Sequence, residues 1–217
     1  MSTIYLVRHF STGFDNNNPK KQYQSKNLSK NGRADGQIAV RYFADKGIKR
    51  IITSEFTRAN ESGHLAQKHL AKKGNLLEVE TSSLLNEWWI PNIWGEKHKD
   101  LHSYFAWRKT VFEELQVRSI FDSDSESLWN LYQIRVPKVL DLLRGGQENK
   151  LIFTHSQLIA TTISYVENGP KISAERLVES FGNFFPKICG AVAEIHCDDY
   201  TKKLTLIDHN YIKHIPK

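Results

Sequence analysis

The chain has 217 residues, 40% hydrophobic and 25% charged, ordinary globular usage that argues against a disordered chain or a membrane protein and is long for a small binding module. A net charge of +6 suits an anionic partner, either a small phosphate ester or a polyanion. The basic residues are spread along the chain with no run of five or more, as on a solvated surface, so specific nucleic-acid binding is not expected.

Thr3 to Val7 is a short apolar run starting almost at once, the pattern of a buried central strand, with Arg8 and His9 at its C-terminal end. That charged pair arrives too soon for a signal-peptide core or a spanning helix, so a cytoplasmic location is expected. Residues 13–27, with Asn16-Asn17-Asn18-Pro19, read as a loop. Ser29 is a plausible N-cap for a helix with Ile38, Tyr42 and Phe43 at apolar spacing, stopped by Gly47. Ile48 to Thr53 is a second strand. Ser54 can cap the next helix, with Phe56, Ala59, Leu65 and Ala66 as buried positions and Gly74 as its end. Leu76 to Thr81 alternates enough for a third strand.

From Trp88 to Asp124 the alternation breaks. Trp88, Trp89, Trp94 and Trp107 crowd the segment, one helix is predicted over about 100–116, and the stretch reads as an inserted cap. Glu126 to Leu143 has a clear amphipathic helical period. Lys150 to Thr154 is an apolar strand running into His155, with a helix from Ser156. Lys187 to His196 and Lys203 to Asp208 read as a terminal hairpin around Asp198-Asp199. Cys189 and Cys197 fall in one strand-like run, about 26 Å apart at ~3.3 Å per residue, too far to bridge.

Strands alternating with helices predict an α/β fold: a three-layer sandwich with a mostly parallel central sheet, one domain over residues 1–217, and an inserted helical cap at about 88–124. Loops after the C-terminal ends of parallel strands converge on one edge. Arg8, His9, Ser54, Glu87 and His155 can therefore reach one pocket.

An Arg-His pair after a strand is common. Specificity comes from four elements in order: Leu6-Val7-Arg8-His9 with Thr12, Leu28-Ser29 with Gly32, Ser54 with Arg58-Ala59, and Phe153-Thr154-His155. With these the sequence resembles the histidine phosphatase superfamily, the branch that includes cofactor-dependent phosphoglycerate mutases. The resemblance runs from Ile4 to about Ile159, and the segment Glu126-Ser127 to Arg135 is similar to the family's segment before the second histidine. It implies His9 as nucleophile, Arg8, Arg58 and His155 as a phosphate clamp joined by Thr12, and Glu87, in Leu84-Leu85-Asn86-Glu87, as proton donor. It implies no metal and no cofactor.

The chemistry fits those roles. Phosphoryl transfer needs an in-line nucleophile and positive donors around the equatorial oxygens. Guanidinium groups bind phosphate through two parallel hydrogen bonds and stay charged at any working pH. Glu87 follows a strand-like run and precedes the proposed cap, where a carboxyl can be partly desolvated and held protonated, with Glu55, Glu61 and Glu96 as competitors. The Asp that follows the second histidine in the family's acid-phosphatase branch is absent, since Ser156 follows His155.

Three positions depart from the family pattern. Phe10 stands where the family usually has Gly and either crowds the pocket or changes its shape without closing it, Ser156 stands where Gly often follows the second histidine, and Asp35 stands where Gln is common. His98 and His102 are four apart, but no His-Glu-x-x-His pattern accompanies them and a zinc site is not expected.

A metal-independent phosphate monoester hydrolase acting through phosphohistidine on a small phosphorylated substrate is the favoured reading. A mutase-type phosphotransferase is the alternative within the family, but the stretch between Glu87 and Glu126 is shorter than the family's mutases carry and lacks paired arginines. A catalytically silent phosphate-binding module is the alternative from another class, and Phe10 keeps it open. The aromatic residues Trp88, Trp89, Trp94, Tyr104, Phe105 and Trp107 serve either as a surface for a substrate ring or as cap core.

Overall fold

The computed structural model describes residues 1–12, 27–88, 126–186 and 188–211. Six strands, β1 (Ser2–Arg8), β2 (Ile48–Thr53), β3 (Val79–Thr81), β4 (Asn149–Thr154), β5 (Val192–Cys197) and β6 (Leu204–Tyr211), form one sheet in the order β3-β2-β4-β1-β5-β6. The first four neighbours are parallel, and β5 and β6 add antiparallel at one edge.

Period-two alternation sends neighbouring residues of the inner strands to opposite faces. Ile4, Leu6, Ile52, Ile152 and Ile195 pack in one core with helices α3 (Val136–Arg144), α4 (Ser156–Asn168) and α5 (Ala174–Phe184). Tyr5, Val7, Ile51, Leu151 and Phe153 pack in the other, against α1 (Lys30–Ala39), the 3₁₀ turn Val40–Phe43 and α2 (Thr57–Ala71). Helices cover both faces, which is why the inner strands read as almost uninterrupted apolar runs. The expected three-layer α/β sandwich is observed.

Several local expectations change. The Ser29 hydroxyl does cap α1, accepting from Gly32 N at 2.9 Å. Ile38, however, is 42% exposed; α1 buries Gly32, Gly36 and Ala39 instead, and the tighter 3₁₀ turn brings Val40 and Phe43 onto the buried face. The buried glycines mark close approach: a Cβ on Gly32 would meet the Ser11 carbonyl oxygen at 1.9 Å, and one on Gly36 the Phe10 ring at 2.7 Å.

Ser54 does not cap α2. That cap is Phe56, which makes no side-chain capping bond, and Phe56 and Leu65 are half-buried rather than core. The third strand is only Val79–Thr81, and Leu76 is 85% exposed. The helix expected from Glu126 begins as a turn, Leu128–Asn130, widens into a π-helical stretch, Leu131–Arg135, and becomes α-helical at α3. Pro137 lies in the first turn of α3, where its missing N–H costs little, and a wider preceding turn relieves the clash of its ring.

Helix α5, which has no counterpart among the predicted elements, is capped by Ser173, whose hydroxyl accepts from Arg176 N at 3.2 Å. β5 begins at Val192 rather than Lys187. Trp88 belongs to the main core, 2% exposed, rather than to a cap; the rest of the proposed cap, with its helix at 100–116, lies outside the described residues. Both cysteines are free. Among the described residues no helix is long and apolar enough to cross a membrane.

Candidate active site

The ends of the parallel strands lie side by side. His9 N donates to Thr154 O at 2.9 Å, joining the end of β1 to β4, and Ser54 N donates to Phe153 O at 3.0 Å, joining β2 to β4 from the other side. Ser82 N donates to Thr53 O at 2.9 Å and starts the segment leading to Glu87. The loops after β1, β2, β3 and β4 thus open at one edge, the position at which sheets of this kind carry their sites.

His9 is 8% exposed. Its Nδ1 lies 2.8 Å from the Phe10 carbonyl oxygen, which can only accept, so Nδ1 carries the proton. The other nitrogen, Nε2, is left with its lone pair and accepts from Arg58 Nε at 3.0 Å. Burial, then the charges of Arg58 and Arg8, hold the His9 pKa well below the usual imidazole value. The ring is neutral at working pH with Nε2 as its basic atom.

The His155 ring sits edge-on to His9, centroids 5.2 Å apart, and is fully buried. Ser54 Oγ donates to Asn86 Oδ1 at 2.7 Å, which leaves Oγ to accept from His155 Nε2 at 2.9 Å. His155 Nδ1 is a buried nitrogen without a hydrogen-bond partner. Its pKa too lies well below the usual value, through burial first, then the charge of Arg58, repulsion from His9 in the pH range where that ring takes up a proton, and the charge of Arg8. Phe56 closes one side, its ring 5.2 Å from His155, with the Arg58 guanidinium 5.1 Å over its face. Arg8 is half-buried and anchored by Nη1 donating to Pro186 O at 2.9 Å. Thr12 is half-buried in the loop after β1.

The segment carrying Glu87 is pinned at each residue. Thr154 Oγ1 donates to Leu85 O at 2.6 Å, Arg135 Nη1 donates to Asn86 O at 2.9 Å, and Trp88 Nε1 donates to the Glu126 carbonyl. Arg135 is itself held by Glu126 Oε2 at 2.6 Å. Glu87 is 8% exposed, and its Oε1 accepts from Trp88 N at 3.1 Å. Of its competitors, Glu61 is engaged by Leu28 N and Arg33 Nη2, both at 2.7 Å, while Glu55 is exposed and accepts from Asn86 Nδ2 at 3.0 Å. Glu96 lies outside the described residues, as do His98 and His102.

Phe10 does not fill the site. Its side chain is 2% exposed in the core beneath α1 and α2, with its ring 5.8 Å from Phe153 and against Gly36. Ser156 starts α4 and is 7% exposed, and Asp35 is on the exposed face of α1.

Sequence reasoning missed the supporting residues. Ser62 Oγ accepts from Phe10 N at 3.1 Å and donates to Arg58 O at 2.7 Å, tying the loop after His9 to the helix of Arg58. Asn86 and Arg135 likewise act on the site through others, Asn86 through Ser54 and Arg135 through the Asn86 carbonyl. Arg135 had a signal, as the end of the segment already similar to the family; the rest are polar residues at helical or loop positions that sequence spacing does not distinguish from surface. Among the described residues no group of three or more His, Cys, Asp or Glu is placed to hold a metal ion.

A switch-point site holding two depressed histidines beside two arginines defines a phosphate-handling α/β enzyme. The chain belongs to the histidine phosphatase superfamily (branch 1), whose sequence profile matches residues 4–181, and it is an enzyme of that phosphatase class. No curated protein sequence matches it. Among solved structures, Bacillus stearothermophilus YhfR is similar at 18% identity and a TM-score of 0.70 over 100% of both chains. The alpha-ribazole phosphatase from Shigella flexneri is 20% identical with a TM-score of 0.70 over 96% of each chain. The phosphoserine phosphatase from Entamoeba histolytica, in complex with 3-phosphoglyceric acid, is 16% identical with a TM-score of 0.71 over 99% of each chain. At these identities the likeness is one of fold.

Proposed function

We propose that the protein hydrolyses small phosphate monoesters by forming a phosphohistidine on His9. The observation that carries this reading is the state of His9: a neutral ring, its proton held on Nδ1 by the Phe10 carbonyl and its Nε2 lone pair turned toward the arginine. Burial alone would lower the pKa of a packing histidine too; what supports a nucleophile is the geometry, a lone pair on Nε2 beside the Arg58 guanidinium and a second histidine with centroids 5.2 Å away.

The substrate's phosphate oxygens take up the donors of Arg8 and Arg58, drawing Arg58 Nε from His9 Nε2 and freeing the lone pair. The dianion also favours a proton on His155, which then donates to it. Thr12 adds a hydroxyl from the loop after β1. Nε2 attacks phosphorus, the P–O bond to the alcohol breaks, and Glu87 gives its proton to the departing oxygen. Positive charge develops on the imidazole, and the Nδ1–H bond to Phe10 O strengthens with it. In the second half Glu87, now a carboxylate, takes a proton from water as the water oxygen bonds to phosphorus and the N–P bond breaks. His9 returns neutral and Glu87 protonated. The developing charge is met by guanidinium and imidazole, so no divalent ion is required.

The structurally similar proteins include an alpha-ribazole phosphatase and a phosphoserine phosphatase, which supports a small phosphorylated substrate rather than a nucleic acid. The test is phosphate release from nitrophenyl phosphate after exhaustive chelation. Turnover well above a His9→Ala control supports the reading; phosphate binding without turnover leaves a silent phosphate-binding module.

A further inference from the structure

His9 and His155 stand edge-on, and hydrogen bonding fixes them as opposite tautomers. His9 carries its proton on Nδ1, against the Phe10 carbonyl. The state of His155 follows from a chain of contacts that ends on a backbone amide. Glu55 N can only donate, so the Asn86 atom it meets at 3.0 Å is the oxygen Oδ1, while Asn86 Nδ2 turns to Glu55 Oε2 at 3.0 Å. Ser54 Oγ lies 2.7 Å from that same Oδ1 and gives its one proton there. With its proton committed, Oγ can only accept, from Phe56 N at 3.1 Å and from His155 Nε2 at 2.9 Å. Nε2 therefore carries the His155 proton and Nδ1 holds a lone pair. That nitrogen is buried, it does not cap α4, and among the described residues it has no hydrogen-bond partner.

We propose that an oxyanion entering the site brings one proton onto His155 Nδ1, and that Ser54 and Asn86 are positioning residues which keep that nitrogen vacant until then. The inference rests on the reading of His155 as a member of the phosphate clamp and adds which nitrogen meets the anion and where its proton comes from. Nε2 is occupied by Ser54, so a phosphate oxygen is met at Nδ1, where a lone pair would repel it. A proton from solvent, or one carried in by the monoanion of the ester, turns that repulsion into a charge-assisted hydrogen bond. In the empty site burial, then chiefly the Arg58 charge, keeps the ring neutral. The anion supplies the negative charge that reverses the balance.

The consequence is a linkage between affinity and pH. Binding that takes up a proton weakens as pH rises, by about tenfold per unit between the His155 pKa of the free protein and that of the complex. Among the described residues the charged and titratable groups on the elements around the ring are Arg8 and His9 at the end of β1, Glu55 before α2, Arg58 in it, Glu87 after β3 and Arg135 before α3. Substitution of Ser54 leaves all of them in place.

The experiment uses sulfate, a tetrahedral dianion that carries no proton of its own near neutral pH. Calorimetric titration in buffers of different ionisation heat counts the protons taken up, and ¹⁵N NMR of labelled histidines reports which ring nitrogens carry them. The wild type is expected to take up about one proton per sulfate, with Kd rising about tenfold per pH unit. His155 should pass from the Nε2–H form to the doubly protonated ring while His9 stays in the Nδ1–H form. In Ser54→Ala the neutral ring is released to carry its single proton on Nδ1 and meet the anion directly, so uptake should fall well below one proton per sulfate. Asn86→Ala, which frees the Ser54 hydroxyl to donate to Nε2, should show the same loss and takes the place of Ser54→Ala should that variant not fold. Sulfate binding without proton uptake in the wild type, a proton that appears on His9 instead, or uptake unchanged in the variants overturns the inference and leaves the clamp standing. If sulfate does not bind, inorganic phosphate in alkaline buffer replaces it; binding of neither overturns the phosphate reading of the site, and the inference with it.

Discussion

The two ends of the sheet both bury positive charge, and they treat it in opposite ways. Toward the N-terminal ends of the strands, Arg50 donates to both oxygens of Glu80 at 2.9 and 2.6 Å and to Glu148 at 3.3 Å. Lys150, with no exposed surface, reaches the Glu148 carbonyl oxygen at 3.3 Å and its carboxylate at 4.0 Å. Hydrogen bonding to Arg50 lowers the Glu80 pKa, the Arg50 pKa rises in return, and burial pulls Lys150 down. At the C-terminal ends, Arg8 meets a carbonyl oxygen and Arg58 meets an imidazole nitrogen, both neutral acceptors, and the positive field depresses two histidines. One end ties its charges to carboxylates; at the other the positive charges lie beside two histidines and lower their pKa values.

The sharpest way to break this contrast is Arg58→Ala. On the proposed mechanism Arg58 meets the charge of the phosphoryl transition state, so its loss should lower kcat by about 10³-fold or more. The same change should raise the His9 and His155 pKa values toward the ordinary 6.5, which ring-proton NMR titration would read. Stability carries the corresponding sign. Because both histidines have folded-state pKa values below 6.5, the unfolded chain takes up protons that the native protein refuses, and stability is lost as pH falls below that value. Arg58→Ala should flatten this loss. A variant that keeps its turnover, or whose histidines titrate as in the wild type, would show that the field does not originate where the contrast puts it.

At the other end the expected effect is smaller and falls on stability alone. Replacing a buried ion pair with apolar side chains is commonly neutral or stabilising by about 1–4 kcal/mol, and here the carboxylate left behind, Glu148, is partly exposed and keeps Arg50 at 3.3 Å. Lys150→Met should therefore leave kcat and KM unchanged while the denaturation midpoint holds or rises. A fall in kcat with intact stability would mean that the lower network reaches the site and the two ends are coupled.

The contrast also explains what was legible in the sequence. The inner strands were readable because burial on both faces forces apolar runs, and Arg8, His9 and His155 were readable because each stands within two residues of the end of such a run. Glu87 was reachable through its position after a third strand, though that strand is three residues rather than six. Ile38 was misplaced because the passage from α to 3₁₀ at Val40 shifts the helical phase, and no residue type marks that shift. Phe10 was misread as crowding the site because the space that receives it is made by Gly36, twenty-six residues further on. Ser54 was read as a helix cap and is a bridge between His155 and Asn86. Ser62 was invisible for the same reason: the Phe10 N–H from which it accepts lies fifty-two residues earlier in the chain.

The claim on which the rest depends is that His9 Nε2 becomes covalently attached to phosphorus. Rapid acid-free quenching of the enzyme mixed with a ³²P-labelled phosphate ester, followed by peptide mapping, tests it directly. The account predicts label on the peptide containing His9, stable to alkali and released by acid as an N–P bond is, and absent in His9→Ala. Label on any other residue, or turnover in a His9→Ala variant equal to that of the wild type, would contradict it.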